Sequence, residues 1–161
     1  MIAYAATAAA LACVAAHGTR TISEMLIAGT PWVSWTMHVS LLALVVDVVV
    51  RATHWTHHAL GAAMLCVLAF PMPCARLEFG STWAWRGNGQ HTSATAATLA
   101  LFGAILLREG KLFALYAALV AVGLALRTRG WQTRDVRMYE AGCACELALL
   151  HVYVAWSTTR A

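Results

Sequence analysis

The chain has 161 residues, of which 61% are hydrophobic and 11% charged, with a formal net charge of +4. A soluble domain carries roughly twice that share of charge. Composition therefore excludes an ordinary soluble fold and implies one all-α integral membrane domain over residues 1–161, about six transmembrane helices in a bundle. Every basic residue except Lys111 is an arginine. That balance points to membrane lipids with anionic or phosphorylated headgroups as partners, and not to nucleic acid, for which no basic tail or stacking platform is present.

Residues 1–17 form an Ala-rich apolar run without the basic leader of a signal peptide, and read as a short first helix ended by His17-Gly18. A polar link over 18–31 follows, and Pro31 suits the first turn of a second helix, predicted from Trp32 to Val50. Within it, Asp47 and Arg51 stand at i and i+4 and can pair near an interface, while His38 is expected to bond a neighbouring helix. Next come three histidines in Arg51-Ala-Thr-His-Trp-Thr-His-His58. His54, His57 and His58 share roughly one helical face, but no carboxylate or thiolate stands beside them in the sequence to complete a metal site. The expectation is an interfacial aromatic cluster around Trp55, and no metal. A third helix runs from Ala59 to Phe70 and stops at Pro71-Met72-Pro73.

The longest loop, residues 74–91, ends in Arg86-Gly-Asn-Gly-Gln-His91, with Trp83 and Trp85 expected at headgroup level. Its glycines and asparagine allow tight turning, and Thr92 and Ser93 are candidate caps for a fourth helix over Thr92–Leu107. A helix N-terminus flanked by Arg86 and His91 can receive an anion such as phosphate. The same residue types also serve any loop that enters a membrane helix. Arg108–Lys111 is a compact turn, the fifth helix covers Leu112–Leu126, and a basic segment over 127–137 precedes the sixth helix, Met138–Ser157, which carries Glu140, Glu146 and His151.

Several of these runs have fewer apolar residues than the roughly twenty that span a bilayer, so five or six crossings stay open. Basic residues divide seven (Arg20, Arg76, Arg86, Arg127, Arg129, Arg134, Arg137) to four (Arg51, Arg108, Lys111, Arg160) between the two sides. The positive-inside rule would make the first group cytoplasmic, but arginines that bind phosphate would confound it, so orientation stays open too. The five cysteines, an odd count without regular spacing, argue against a disulfide framework.

The order Gly89-Gln90-His91-Thr92, Asp135-Val136 and Phe70-Pro71-Met72-Pro73 resembles the type 2 phosphatidic-acid phosphatase superfamily, the sphingomyelin-synthase-like branch in particular. That family has six membrane helices, a Ser-Gly-His-Thr motif opening helix four, and a His-x-x-x-Asp motif entering helix six. The resemblance covers about residues 60–155. It implies His91 as the acid–base histidine and Asp135 as the orienting acid, and no cofactor. The polar composition of the loops before helices four and six, read by itself, adds Arg86, Gly89, Gln90, Arg129, Gln132 and Arg134 as residues that can hold a phosphate or headgroup. Two departures stand out. Trp131 occupies the position of the family's nucleophilic histidine, and Gly89-Gln90 replaces Ser-Gly. The expectation is a divergent lipid phosphatase- or phosphotransferase-like membrane protein, catalytically impaired, that binds phospholipid or sphingolipid headgroups. The alternative is a non-catalytic subunit of a larger membrane complex, surrounded by other membrane subunits. A third reading, haem between His38 and His151, requires those imidazoles to face each other.

Overall fold

A computed structural model describes residues 1–17, 30–69 and 89–158. Among these residues all regular structure is helical, in six helices: α1 Ile2–His17, α2 Pro31–Val50, α3 Trp55–Ala69, α4 Gly89–Glu109, α5 Phe113–Thr133 and α6 Val136–Thr158. Two of them, α2 and α5, are long and apolar enough to cross a bilayer, with mean hydropathies of 1.9 and 1.3; α1 and α3 carry shorter apolar segments.

The helix ends follow from local chemistry. Pro31 opens α2, where its missing N–H leaves nothing unsatisfied. Gly110 closes α4 with φ +66°. Its N–H donates to the Leu107 carbonyl, and the Lys111 N–H reaches back to Leu106. This pair of bonds is the Schellman pattern. The same pattern closes α5, but with Arg134 in the left-handed position at φ 54°. The Arg134 N–H donates to Trp131 and the Asp135 N–H to Gly130.

Three boundaries differ from the sequence expectation by three residues or more, for one physical reason: polar residues at a helix end need not leave the helix. The fifth helix runs on to Thr133, so Arg127, Arg129, Trp131 and Gln132 are helical and the turn is confined to Arg134 and Asp135. The fourth helix starts at Gly89, which places Thr92 and Ser93 inside it and not at its cap. The third starts at Trp55, with the His54 imidazole accepting from the Thr56 N–H at 3.3 Å.

Consecutive helices pair as antiparallel hairpins, with the most extensive contacts between α5 and α6, then α1 and α2, then α3 and α4. Hydrophobic packing is dense at one end of the bundle, around Leu44, Val48, Leu60, Ile105, Leu106 and Trp156. Polar groups lock the same end. Asp47 pairs with Arg51 at 3.1 Å, as the i, i+4 spacing implies, and accepts from the Tyr153 hydroxyl at 3.2 Å. Arg51 also donates to the Ser157 carbonyl at 2.8 Å, which ties α2 to α6.

The three histidines separate. His54 and His58 are exposed and His57 is fully buried, its ring stacked on Trp156 at 5.9 Å. His57 Nε2 lies 4.0 Å from Glu109, whose other oxygen accepts from the Trp156 indole at 2.7 Å. The cluster expected around Trp55 is thus split: His54 keeps Trp55, while His57 turns inward. His38 bonds Ser34 of its own helix at 2.8 Å rather than a neighbouring helix. His151 is exposed and bonds Leu147 of its own helix at 3.0 Å.

Candidate functional site

At the other end α1 and α2 pack through Ala10, Cys13, Val33 and Met37, and a hollow lies beside them. A cavity of about 260 Å³ lies among α2, α3, α4, α5 and α6. Its apolar wall includes Leu41 and Val45 from α2, Leu99 from α4, Leu119 and Val120 from α5, and Leu149 from α6. Its polar lining comes from His91, Thr95 and Thr98 on α4, Arg127 on α5 and Glu146 on α6. The spacing of His91, Thr95 and Thr98 at i, i+4 and i+7 puts all three on one face of α4.

The polar groups are hydrogen-bonded in two sets, one across α5 and α6 and one along α4. Arg127 Nη1 donates to Glu146 Oε1, and Nη2 donates to the Tyr139 hydroxyl at 3.0 Å. The guanidinium carbon stands 5.2 Å from the centre of the Tyr139 ring, within range of a cation–π contact. Both charged side chains keep some accessible surface, 26% for Arg127 and 32% for Glu146, which fits groups that line a space rather than fill it. On α4, Thr95 Oγ1 and His91 Nε2 are 3.3 Å apart, and the Thr98 hydroxyl donates to the Ala94 carbonyl at 2.9 Å.

Close approach of α5 and α6 makes the pair possible. A Cβ on Gly142 would stand 2.7 Å from the Arg127 backbone nitrogen, and one on Gly130 would stand 2.5 Å from the Tyr139 nitrogen. Only glycine lets the helices lie this near, so that Arg127 crosses to Glu146 and Tyr139 without leaving the interface.

The residues expected from sequence fare differently. His91 lines the cavity. Asp135 is exposed at the start of α6, where its Oδ1 accepts from the N–H groups of Arg137 at 3.0 Å and Met138 at 3.2 Å. That is an N-cap, with a carboxylate where the helix dipole favours negative charge. Gln90, Arg129, Gln132 and Arg134 are exposed near the same end, and none is in the cavity lining. Gly89 is the first residue of α4. Arg86 lies outside the described residues, as do Pro71, Pro73, Trp83 and Trp85. His91, Arg127 and Glu146 therefore line one cavity; from sequence, Arg127 stood only among the arginines of the basic segment and Glu146 had no site role. A signal for these last two existed: each is an ionisable residue bordering or interrupting a long apolar run, and the two charges are opposite.

Against known proteins, the chain matches no family model, no curated protein and no solved structure.

Proposed function

We infer that this chain is an integral membrane bundle of six helices that binds a lipid in the cavity, with the lipid's polar end among His91, Arg127 and Glu146. This is the binding half of what the resemblance to lipid phosphotransferases implies. The observation that carries it is the composition of the cavity: aliphatic along most of its wall, with polar groups at Arg127–Glu146 and on the His91, Thr95 and Thr98 face of α4. Such a space suits a hydrocarbon chain that ends in a hydrogen-bonding head.

Two further features support the membrane setting. Trp35, Val39, Leu42, Val46 and Val49 form an exposed apolar stripe along α2 at helical spacing. A stripe of that length suits acyl chains far better than water. The 21 residues of α4 and the 23 of α6 extend about 30–35 Å at roughly 1.5 Å per residue, enough for a hydrocarbon core. The shorter α1 and α3 would be met by local thinning or by flanking residues.

Phosphoryl transfer would further require a nucleophile facing an acid–base partner. Trp131 stands where the family's nucleophile would be, and Asp135 caps a helix, so the reading is of binding without turnover. The subunit alternative assigns the α2 stripe to a partner protein, which would then purify with the chain at fixed stoichiometry.

The test is displacement of a fluorescent acyl probe from purified protein in nanodiscs. Leu119→Trp fills the apolar wall and is expected to abolish probe binding while the protein still elutes as a folded species. Undiminished binding by that variant would rule out the cavity as the lipid site.

A further inference from the structure

We propose that the occupant of the cavity is a single-chain amphiphile with an uncharged, hydroxyl-bearing head, of the monoacylglycerol or long-chain alcohol type, and not a phosphate, carboxylate or amine. The proposal rests on the cavity reading above and specifies the ligand class.

Charge is the first argument. Among the described residues of the cavity lining, the arginine, Arg127, is already matched by Glu146, and its second nitrogen donates to the Tyr139 hydroxyl. An anionic head approaching Arg127 would also approach the Glu146 carboxylate. To take Arg127 for itself it would strand that carboxylate in a mostly apolar space, which is strongly unfavourable. A cationic head meets the mirror-image problem with Arg127. A neutral hydroxyl meets neither, because it can donate to a carboxylate oxygen and accept from a guanidinium N–H without burying net charge.

The threonines fit the same partner. The Thr98 hydroxyl gives its proton to the Ala94 carbonyl, so toward the cavity its oxygen offers lone pairs. An oxygen so placed can receive a hydroxyl proton but has none to give a phosphate. Thr95 shares its hydroxyl with His91 Nε2 at 3.3 Å, so this face of α4 also offers hydroxyl oxygens among the described lining residues.

Size and depth are independent of charge. A cavity of 150 Å³ holds benzene, so the space of about 260 Å³, which is open on one side, takes roughly ten heavy atoms within its walls, the volume of a segment of one chain. Glu146 lies ten residues beyond the start of α6 at Val136, and Thr98 nine beyond the start of α4 at Gly89. At roughly 1.5 Å per residue both sit about 13–15 Å from that end of the bundle. A charged head drawn to that depth would lose most of its hydration, which a hydroxyl group gives up far more easily.

The experiment compares four ligands of one chain length against the wild-type protein in nanodiscs: a monoacylglycerol, the matched fatty acid, the matched lysophosphatidate and the matched alkylamine. The monoacylglycerol is expected to displace the acyl probe at concentrations at least about tenfold lower than the other three. Two reciprocal variants test the cause. Glu146→Gln unmasks Arg127 and is expected to raise fatty-acid affinity about tenfold or more. Arg127→Gln unmasks Glu146 and is expected to do the same for the amine. Where one variant does not fold, the other and the wild-type ranking still carry the test. A charged ligand that binds wild-type protein as tightly as the neutral one overturns the proposal, and so does binding without regard to head, although both leave the cavity reading standing. If none of the four chains binds, the cavity reading falls and the proposal with it.

Discussion

Arg127 and Glu146 join α5 to α6 through one charge-assisted hydrogen bond beside a largely apolar space. Removing one partner from such a pair is worse than removing both, because the survivor keeps an uncompensated charge away from water. Arg127→Leu is therefore expected to destabilise the protein by about 3 kcal/mol, and the double variant Arg127→Leu/Glu146→Leu to recover most of that loss. Thermal unfolding in detergent for the two singles and the double gives the coupling directly; a double variant as unstable as the sum of the singles would show that the pair is not coupled. Asp135 makes the opposite kind of contribution. Its carboxylate caps α6, so Asp135→Ala is expected to lower stability by about 1 kcal/mol and to leave probe binding intact. If that variant lost binding at unchanged stability, the site role implied by the family resemblance would return. His91 and Asp135 were both chosen from motif position, and position could not say which of them turns toward a cavity and which toward a helix end.

At the scale of elements, the α5–α6 hairpin is the tightest contact in the molecule, and glycines set its spacing. A side chain at residue 142 would collide with Arg127 Cγ at 2.6 Å and with the backbone of Arg127 and Gly123 at 2.7 and 2.8 Å, and the backbone atoms cannot give way alone. Gly142→Leu is accordingly expected to separate the helices, cost more than about 3 kcal/mol and disperse the Arg127–Glu146 pair. Gly110→Ala faces open space but a left-handed backbone, and should cost about 1 kcal/mol. The contrast between the two, measured by unfolding, separates close approach from turn geometry. All six helices were legible as apolar runs between polar or Gly/Pro-rich segments. Their ends were less so: Arg129, Trp131 and Gln132 look like loop residues, yet arginine and glutamine are good helix formers and the chain stays helical until Arg134 takes up the left-handed turn.

At the scale of the whole molecule, the bundle is packed solid where α2, α4 and α6 bring Leu44, Leu106 and Trp156 together, and hollow toward the start of α4 and α6. The exposed stripe along α2 belongs to the same picture, as the face a membrane would cover. Leu42→Arg, near the middle of that helix, is expected to add about 3 kcal/mol to the free energy of insertion. Alkaline carbonate extraction should leave wild-type protein in the membrane pellet and shift a measurable fraction of the variant to the supernatant; a wild-type protein found wholly in the supernatant would overturn the membrane reading.

Much could be read from residue order alone: a helical chain, six apolar segments, proline and glycine at specific ends, and the Asp47–Arg51 pair, whose i, i+4 spacing is built into one helix. These are local properties, set by composition and by the 3.6-residue repeat. Only the packing of separate helices decided the rest. Arg127 finds Glu146 because glycines bring α5 and α6 close. His57 stacks on Trp156 instead of joining His54. Thr98 and Leu149 come to share a cavity with a residue as distant in sequence as Leu41. Contacts between residues far apart in the chain depend on how side chains from several helices fill or fail to fill a shared space, and no single segment carries that information.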